Sequence, residues 1–380
     1  MNDTLNYPLT FEPIFKERIW GGRRIETVLG KHLPSDKPIG ESWEISDHGT
    51  SCSVVSNGHL RGESLRELIS QSAEQLLGAA ALPRLAQYGP APFRFPLLVK
   101  WIDARKKLSV QVHPPDGHPR LPPGEQGKTE CWFVADAEPG AEIYLGLRRG
   151  IDRAALLHEL HRGTVDRCLN VFPAQPGDFY FVPAGTPHAI GAGVLLAEIQ
   201  QTSDTTYRLF DWNRVDPSTG RPRELQIEAA IDSIDFSLPQ ASKVTGQACA
   251  SYIPGSSTKS DQFPLSSSET QLLGPNDCAY FSLSRRVVAA PRELGVGQAS
   301  SLPANSLPTL AGSKPAPYTS GALGDSNRFH ILVCIAGTGE ISGGDETVEL
   351  KRGVCVLLPA AGSFVCKPRD QFQLLDTWVP

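Results

Sequence analysis

Apolar positions along this chain fall mostly in short runs bounded by turn residues, the signature of strands. Leu97 to Ile102, Leu108 to His113, Glu130 to Ala135 and Glu142 to Gly146 read this way, and Gly177-Asp178 opens a further series that reaches Phe210. Gly40 to Val55 holds Glu41-Ser42-Trp43-Glu44-Ile45-Ser46, a polar turn, and Ser53-Val54-Val55, which reads as a strand and the start of its partner. Helical spacing is rarer. Leu65, Leu68, Ile69, Leu76 and Leu77 share one face behind the capping box Ser64-Leu65-Arg66-Glu67, and that helix ends near Gly78. Asp152 caps a second helix with Leu156, Leu157 and Leu160 facing inward and Gly163 beyond its end. A third helix is expected near Leu225 to Ile234.

Beyond residue 240 the pattern weakens and then returns. Gln240 to Asp261 lacks periodicity and marks a domain boundary, and Leu302 to Asn327, rich in Pro, Ser and Gly, reads as a long loop. Phe329 to Ile335 is a strand, followed by a turn at Gly337-Thr338-Gly339. Gly353-Val354-Cys355-Val356-Leu357-Leu358-Pro359-Ala360 then repeats the form of Gly177-Asp178-Phe179-Tyr180-Phe181-Val182-Pro183-Ala184. This internal echo predicts two copies of one β-barrel, divided as residues 1–240 and 241–380. The second copy carries Gly362-Ser363-Phe364 where the first has Gly185-Thr186-Pro187-His188, so it is expected to keep the fold and lack a metal.

Composition sharpens this reading. A chain of 380 residues suits two domains, and 35 Gly with 32 Pro favour many strands over long helices. A net charge of -5 gives no support for a nucleic-acid partner, and no apolar run approaches membrane-spanning length. Met1 to Phe11 lacks the pattern of a signal peptide, and the eight cysteines contain no Cys-x-x-Cys pair, so reduced thiols and a cytoplasmic location are expected. Cys131, next to Glu130, points to the opposite face of its strand and reads as packed core.

The chemistry concentrates in three segments. Gln111 and His113, two apart on a strand, share a face; Glu130 lies 17 residues on, and His188 another 58. Two imidazoles and a carboxylate are the ligand set of a catalytic zinc site with one position open, and the gaps suit adjacent strands converging on one pocket. Gln111 is either a ligand or a hydrogen-bond partner to one. Lys100 either points into the pocket or lays its stem along the surface. Arg208 either pairs with Asp211 as structure or serves the reaction. Glu198, between Ala197 and Ile199, sits in a buried strand where a carboxylate is paired or functional. His118, His158 and His161 read as surface residues.

Taken together, these motifs resemble the cupin superfamily, and within it the class I mannose-6-phosphate isomerases in their shorter bacterial form. The resemblance rests on Ile19-Trp20-Gly21-Gly22, Gly40-Glu41-Ser42-Trp43-Glu44, Leu108 to Pro114, Gly127-Lys128-Thr129-Glu130, Val182 to Ile190, and Glu198 to Arg208 with Asp211. It covers about the first 215 residues and implies a mainly β fold of two jelly-roll barrels with a few short helices. It also implies one zinc ion per chain and interconversion of mannose 6-phosphate and fructose 6-phosphate. The family's metal ligands fall on Gln111, His113, Glu130 and His188, its catalytic arginine on Arg208, its proton-transfer glutamate on Glu198 and its active-site lysine on Lys128. Ser109, Lys100 and Arg214 are the candidates for the substrate phosphate. About 40 residues separate Gly146 from His188, so the large helical insert of the longer forms is absent.

Two rival readings fit the same residues. A cupin iron dioxygenase would use the same two histidines and carboxylate. A non-enzymatic sugar-binding bicupin would suit the histidine-poor second barrel.

Overall fold

The strand Leu97–Ala104 reads Leu-Leu-Val-Lys-Trp-Ile-Asp-Ala and is buried along its whole length. Successive side chains on a strand point to opposite faces, so both faces must be covered. Leu97, Val99 and Trp101 pack with Cys131, Phe133, Ala197 and Ile199 in one core, while Ile102 and Ala104 join Trp132, Val134, Leu196 and Val194 in another. The neighbouring strands Val194–Gln201 and Glu130–Ala137 obey the same alternation, and one polar residue of each inner face, Lys100, Glu198 and Glu130, stands at the same end.

The computed structural model describes residues 5–86, 93–216, 219–239, 241–244, 268–288, 321–323 and 327–380. The chain is mainly β. A seven-stranded antiparallel sheet runs in the order Ile14–Gly22, Ile39–Ile45, Leu97–Ala104, Val194–Gln201, Glu130–Ala137, Phe179–Val182 and Lys243–Val244. A five-stranded sheet faces it, ordered Tyr207–Phe210, Val110–Val112, His188–Ile190, Glu142–Leu147 and Leu169–Pro173. The outer side of the smaller sheet is covered by the helices Arg153–His161 and Ile227–Ser233, through Leu156, Ala230 and Ile231.

The C-terminal part repeats this wiring. Ser268–Leu273, Ser282–Val288, Phe372–Trp378, His330–Ala336 and Cys355–Leu358 form one sheet, in the same spatial and chain order as the five central strands of the large N-terminal sheet. Gly321–Leu323, Phe364–Pro368, Thr338–Gly343 and Glu346–Lys351 form the other. The two-copy reading of the sequence is therefore correct at the level of topology, each copy being two facing sheets rather than a closed barrel. Phe364 takes the slot of His188 and is buried in the second core.

The two copies are joined by a continuous apolar core in which Trp101, Phe133 and Ile199 meet Ile331, Val333, Leu357 and Leu375. Trp101 Nε1 donates to the carbonyl of Gly353 at 3.1 Å, and Arg352 Nη2 to that of Ala135 at 2.6 Å. Cys131 lies in this core, and burial raises its thiol pKa well above the usual range.

Several local expectations are met. The capping box at Ser64 and Glu67 forms, and the helix Leu65–Leu77 buries all five residues of its apolar face before Gly78. Asp152 caps Arg153–His161, although only Leu156 is fully buried there and Leu157 and Leu160 are partly so. Other expectations need correction. Within the stretch read as a long loop, Gly321–Leu323 is a strand paired with Phe364–Pro368; residues 302–320 and 324–326 lie outside the described residues. Of the 240–261 stretch only residues 241–244 are described, and Lys243–Val244 extends the large N-terminal sheet. Ile14–Gly22 and Leu169–Pro173 are strands that periodicity did not reveal, because their bulged, half-exposed patterns alternate poorly.

Candidate metal centre and active site

The two sheets converge on the end of the N-terminal barrel where Lys100, Glu130 and Glu198 emerge. His188 and Gln111 are directly opposite each other in the small sheet, and Arg208 pairs with Gln111 from the next strand. His113 follows the strand Val110–Val112 and is held to the His188 segment by a hydrogen bond from Gly185 N to its carbonyl, 2.8 Å. Gly185 has φ +84°, a left-handed conformation that favours glycine, and so makes the turn that delivers His188.

His113, Glu130 and His188 are buried, with one donor atom from each lying within 4.8 Å of the others. His113 Nε2 is 3.4 Å from Glu130 Oε2, and His188 Nε2 is 3.5 Å from Oε1. Each imidazole is oriented from behind: Nδ1 of His113 lies 3.0 Å from the carbonyl of Thr205, and Nδ1 of His188 lies 2.8 Å from that of Thr186. A carbonyl can only accept, so each Nδ1 carries the proton and each Nε2 keeps its lone pair. Burial, reinforced by Lys128, drives the pKa of His113 well below the usual range; burial likewise lowers His188 to about 4. Both rings are therefore neutral, the form that binds metal.

Glu130 completes the set. Burial, then the nearby Glu198, raises its carboxyl to about 7 against the pull of Lys128. No well-aligned hydrogen-bond donor reaches either of its oxygens among the described residues. A buried carboxylate and two imidazole nitrogens aimed at one point are a set that a divalent cation fits. Gln111 Nε2 is 3.3 Å from His188 Nε2, and a half-turn of the amide would bring its oxygen to that position.

An interlocked charge cluster adjoins the metal set. Lys128 Nζ lies 2.7 Å from Glu130 Oε2, 3.1 Å from His113 Nε2 and 3.7 Å from Glu198 Oε1. Lys100 Nζ lies 2.9 Å from the same Glu198 oxygen and 3.9 Å from Glu41 Oε2. Trp132 Nε1 donates to Glu198 at 3.0 Å. For Glu198 burial opposes ionisation, but Lys100 and then Lys128 outweigh it and lower the pKa. For Glu41 the same contest, with Lys100, Arg18 and Trp43 on the ionising side, ends at about 2. Lys100 thus points into the pocket rather than snorkelling.

A cavity of about 380 Å³ opens beside this cluster, lined by residues including Lys100, Ser109, Gln111, Lys128, Glu198 and Arg208. Arg208 does not pair with Asp211. Its Nε donates to Ser109 Oγ at 3.3 Å and its Nη1 to the carbonyl of Glu224 at 2.8 Å, both neutral acceptors. Arg214, by contrast, is committed to Asp211 and to the carbonyl of Lys107 and is not among the lining residues. Arg223 lines the pocket instead. It is held by Asp211 through Nε at 2.8 Å and Nη2 at 2.5 Å.

The structure thus gathers nine of the ten candidate residues around this pocket, all but Arg214, and adds Glu41, Arg18, Trp132 and Arg223, which the sequence reading did not single out. Glu41 had a signal, a carboxylate alternating with Trp43 in an otherwise buried strand. Arg223 had none: Gly220-Arg221-Pro222-Arg223 reads as an ordinary polar turn.

The model of the phosphomannose isomerase type I catalytic domain matches residues 9–143. The chain is 34% identical to mannose-6-phosphate isomerase ManA of Bacillus subtilis over 357 residues, which cover 93% of each protein. It is 41% identical over 232 residues to mannose-6-phosphate isomerase of Streptococcus mutans, 61% of this chain and 69% of that relative. Among solved structures, mannose 6-phosphate isomerase from Bacillus subtilis superimposes with a TM-score of 0.73 at 29% identity, over 98% of this chain and 99% of the other.

Proposed function

Because the chain belongs to the type I phosphomannose isomerase family, we propose that it interconverts mannose 6-phosphate and fructose 6-phosphate at this pocket. The observation that carries the reading is the pair of neutral Nε2 atoms and the buried Glu130 carboxylate converging beside an ionised Glu198. His113, Glu130, His188 and the amide oxygen of Gln111 would hold one zinc ion. Bound there, zinc supplies Lewis acidity to the negative charge that develops on oxygen when C1 and C2 exchange oxidation level.

The remaining work falls to the chain's own groups. Glu198 is ionised and takes the proton from one carbon and returns it to its neighbour through an enediol. Lys100 and Lys128 hold that carboxylate in place, and Lys128 also stands ready to protonate the ring oxygen as the sugar opens. Arg208 offsets charge on the enediol. For the phosphate, Arg223 Nη1 has no partner among the described residues. With Ser109 it forms a polar, cationic end of the pocket, and Arg223 takes the role that sequence alone offered to Arg214. A second cleft of about 570 Å³, lined by Arg208, Arg221, Arg223 and Glu224 among others, meets the pocket at these arginines and gives the phosphate a way in.

No helix among the described residues is long and apolar enough to cross a membrane. The seven described cysteines are all free, which supports a reducing, cytoplasmic setting. The test is a coupled assay for fructose 6-phosphate formation from mannose 6-phosphate, before and after chelator dialysis and zinc readdition. Loss and recovery of activity, with elemental analysis giving one zinc per chain, is the expected result. Full turnover in a metal-free preparation would refute it.

A further inference from the structure

The repeated wiring allows the two barrels to be compared strand by strand. In the first, Glu130 faces Val182 across one pairing and Gln200 across the other, and Glu198 stands two residues before Gln200. In the second, His330 faces Leu358, and Thr377 faces Ile331, which sets Trp378 beside His330 and Asp376 two residues earlier. His330 and Asp376 thus occupy the places of Glu130 and Glu198. Their neighbours in sequence confirm the direction they point: Leu332, Cys334, Phe372 and Leu374, which share their parity, fill the interior between the two C-terminal sheets. The apolar core of this barrel gives way to polar side chains at the same end as in the first.

These side chains form an ordered chain. His330 Nδ1 lies 2.8 Å from Asp376 Oδ1, Arg286 Nε donates to Asp376 Oδ2 at 2.9 Å, and Arg286 Nη1 pairs with Glu269 at 3.3 Å. Asp376 orients the ring with its proton on Nδ1, which leaves Nε2 as an acceptor. That Nε2 is buried and has no hydrogen-bond partner among the described residues, in a residue only 8% exposed. Ser282, fully buried, is the cross-strand partner of Trp378, and its Oγ likewise has none. The Trp378 ring lies 5.5 Å from the His330 ring and stays partly exposed. Two orphaned polar groups therefore flank one accessible indole. Buried polar atoms left unpaired are costly, so a ligand that supplied partners to both would be stabilised here.

We propose that this end of the C-terminal barrel is a second ligand site, for a neutral hydroxyl-bearing molecule such as an unphosphorylated sugar. A sugar carries several hydroxyls, each both donor and acceptor, so separate ones meet His330 Nε2 and Ser282 Oγ on either side of the indole, whose face covers the sugar's C–H surface. A phosphate is disfavoured because Arg286 is already neutralised by Asp376 and Glu269. A metal is disfavoured because only one ligand nitrogen is offered.

The test uses the full zinc-loaded chain and D-mannose as the probe, followed by isothermal calorimetry and by quenching of tryptophan fluorescence. Binding is expected to persist in His113→Ala, whose first-barrel site is broken, and to weaken at least tenfold in His330→Gln and in Ser282→Ala. Trp378→Phe should remove the quenching. Circular dichroism melts of the variants separate lost binding from lost folding, and Ser282→Ala is small enough to fold if His330→Gln does not. The proposal is overturned if D-mannose fails to bind the wild type, if binding disappears with His113→Ala, or if both C-terminal variants bind as the wild type. A crystal soaked in D-mannose that shows only water molecules at His330 and Ser282 would overturn it as well. Because the readout is binding, the outcome does not depend on the isomerase reading.

Discussion

Replacing Lys100 by Met should cost more stability than any other single change in the pocket, and the structure sets the scale. Lys100 is buried, 2.9 Å from Glu198 and 3.9 Å from Glu41. At an effective dielectric of about 20 these attractions are worth about 6 and about 4 kcal/mol. Restoring Lys100 to water on unfolding offsets a large part, so the net loss falls in the range found when one partner of a buried pair is removed, about 3–5 kcal/mol. Methionine keeps the stem's volume and deletes only the charge. Urea unfolding of Lys100→Met, Glu198→Gln and the double variant measures it. The double variant should be less destabilised than the sum of the singles, because removing both partners leaves fewer stranded charges. If Lys100→Met loses under about 1 kcal/mol, or the two changes are additive, Lys100 does not anchor Glu198 and the reading of the cluster is wrong.

Arg208→Ala should lower turnover by about 10²–10³, the usual cost of losing one charge-stabilising donor, while zinc content stays near wild type; zinc loss in that variant would point to a structural role instead. Glu41 bears on acid stability. Its folded pKa of about 2 lies below the unfolded value of 4.5, so its contribution is fully present above pH about 5 and lost as pH falls through about 2. The shift corresponds to about 3 kcal/mol. Glu41→Gln should therefore be less stable than wild type at pH 7 and converge with it toward pH 2; parallel stability curves would refute the assignment.

The sequence determined the local elements and most of the chemistry. The capping box at Ser64, the apolar face of Leu65–Leu77 and the alternation of Leu97–Ala104 are legible because neighbours along the chain dictate them. The candidate ligands were legible because Gln111, Glu130 and His188 sit in short strands, and His113 just past one, so that parity and the family resemblance single them out. The shared form of Gly177 to Ala184 and Gly353 to Ala360 announced two copies of one barrel.

The tertiary structure decided what depends on strands far apart in sequence. Arg214 and Arg223 are both arginines near Asp211, and only packing turns one into the pocket while the other binds the Lys107 carbonyl. The wiring that sets His330 and Asp376 in the places of Glu130 and Glu198 replaces one residue type by another, so no motif records it. Side-chain direction follows from local geometry, but which side chains meet is settled by sheet register and by the burial of charge. Those are properties of the whole fold, and a linear pattern holds them only in part.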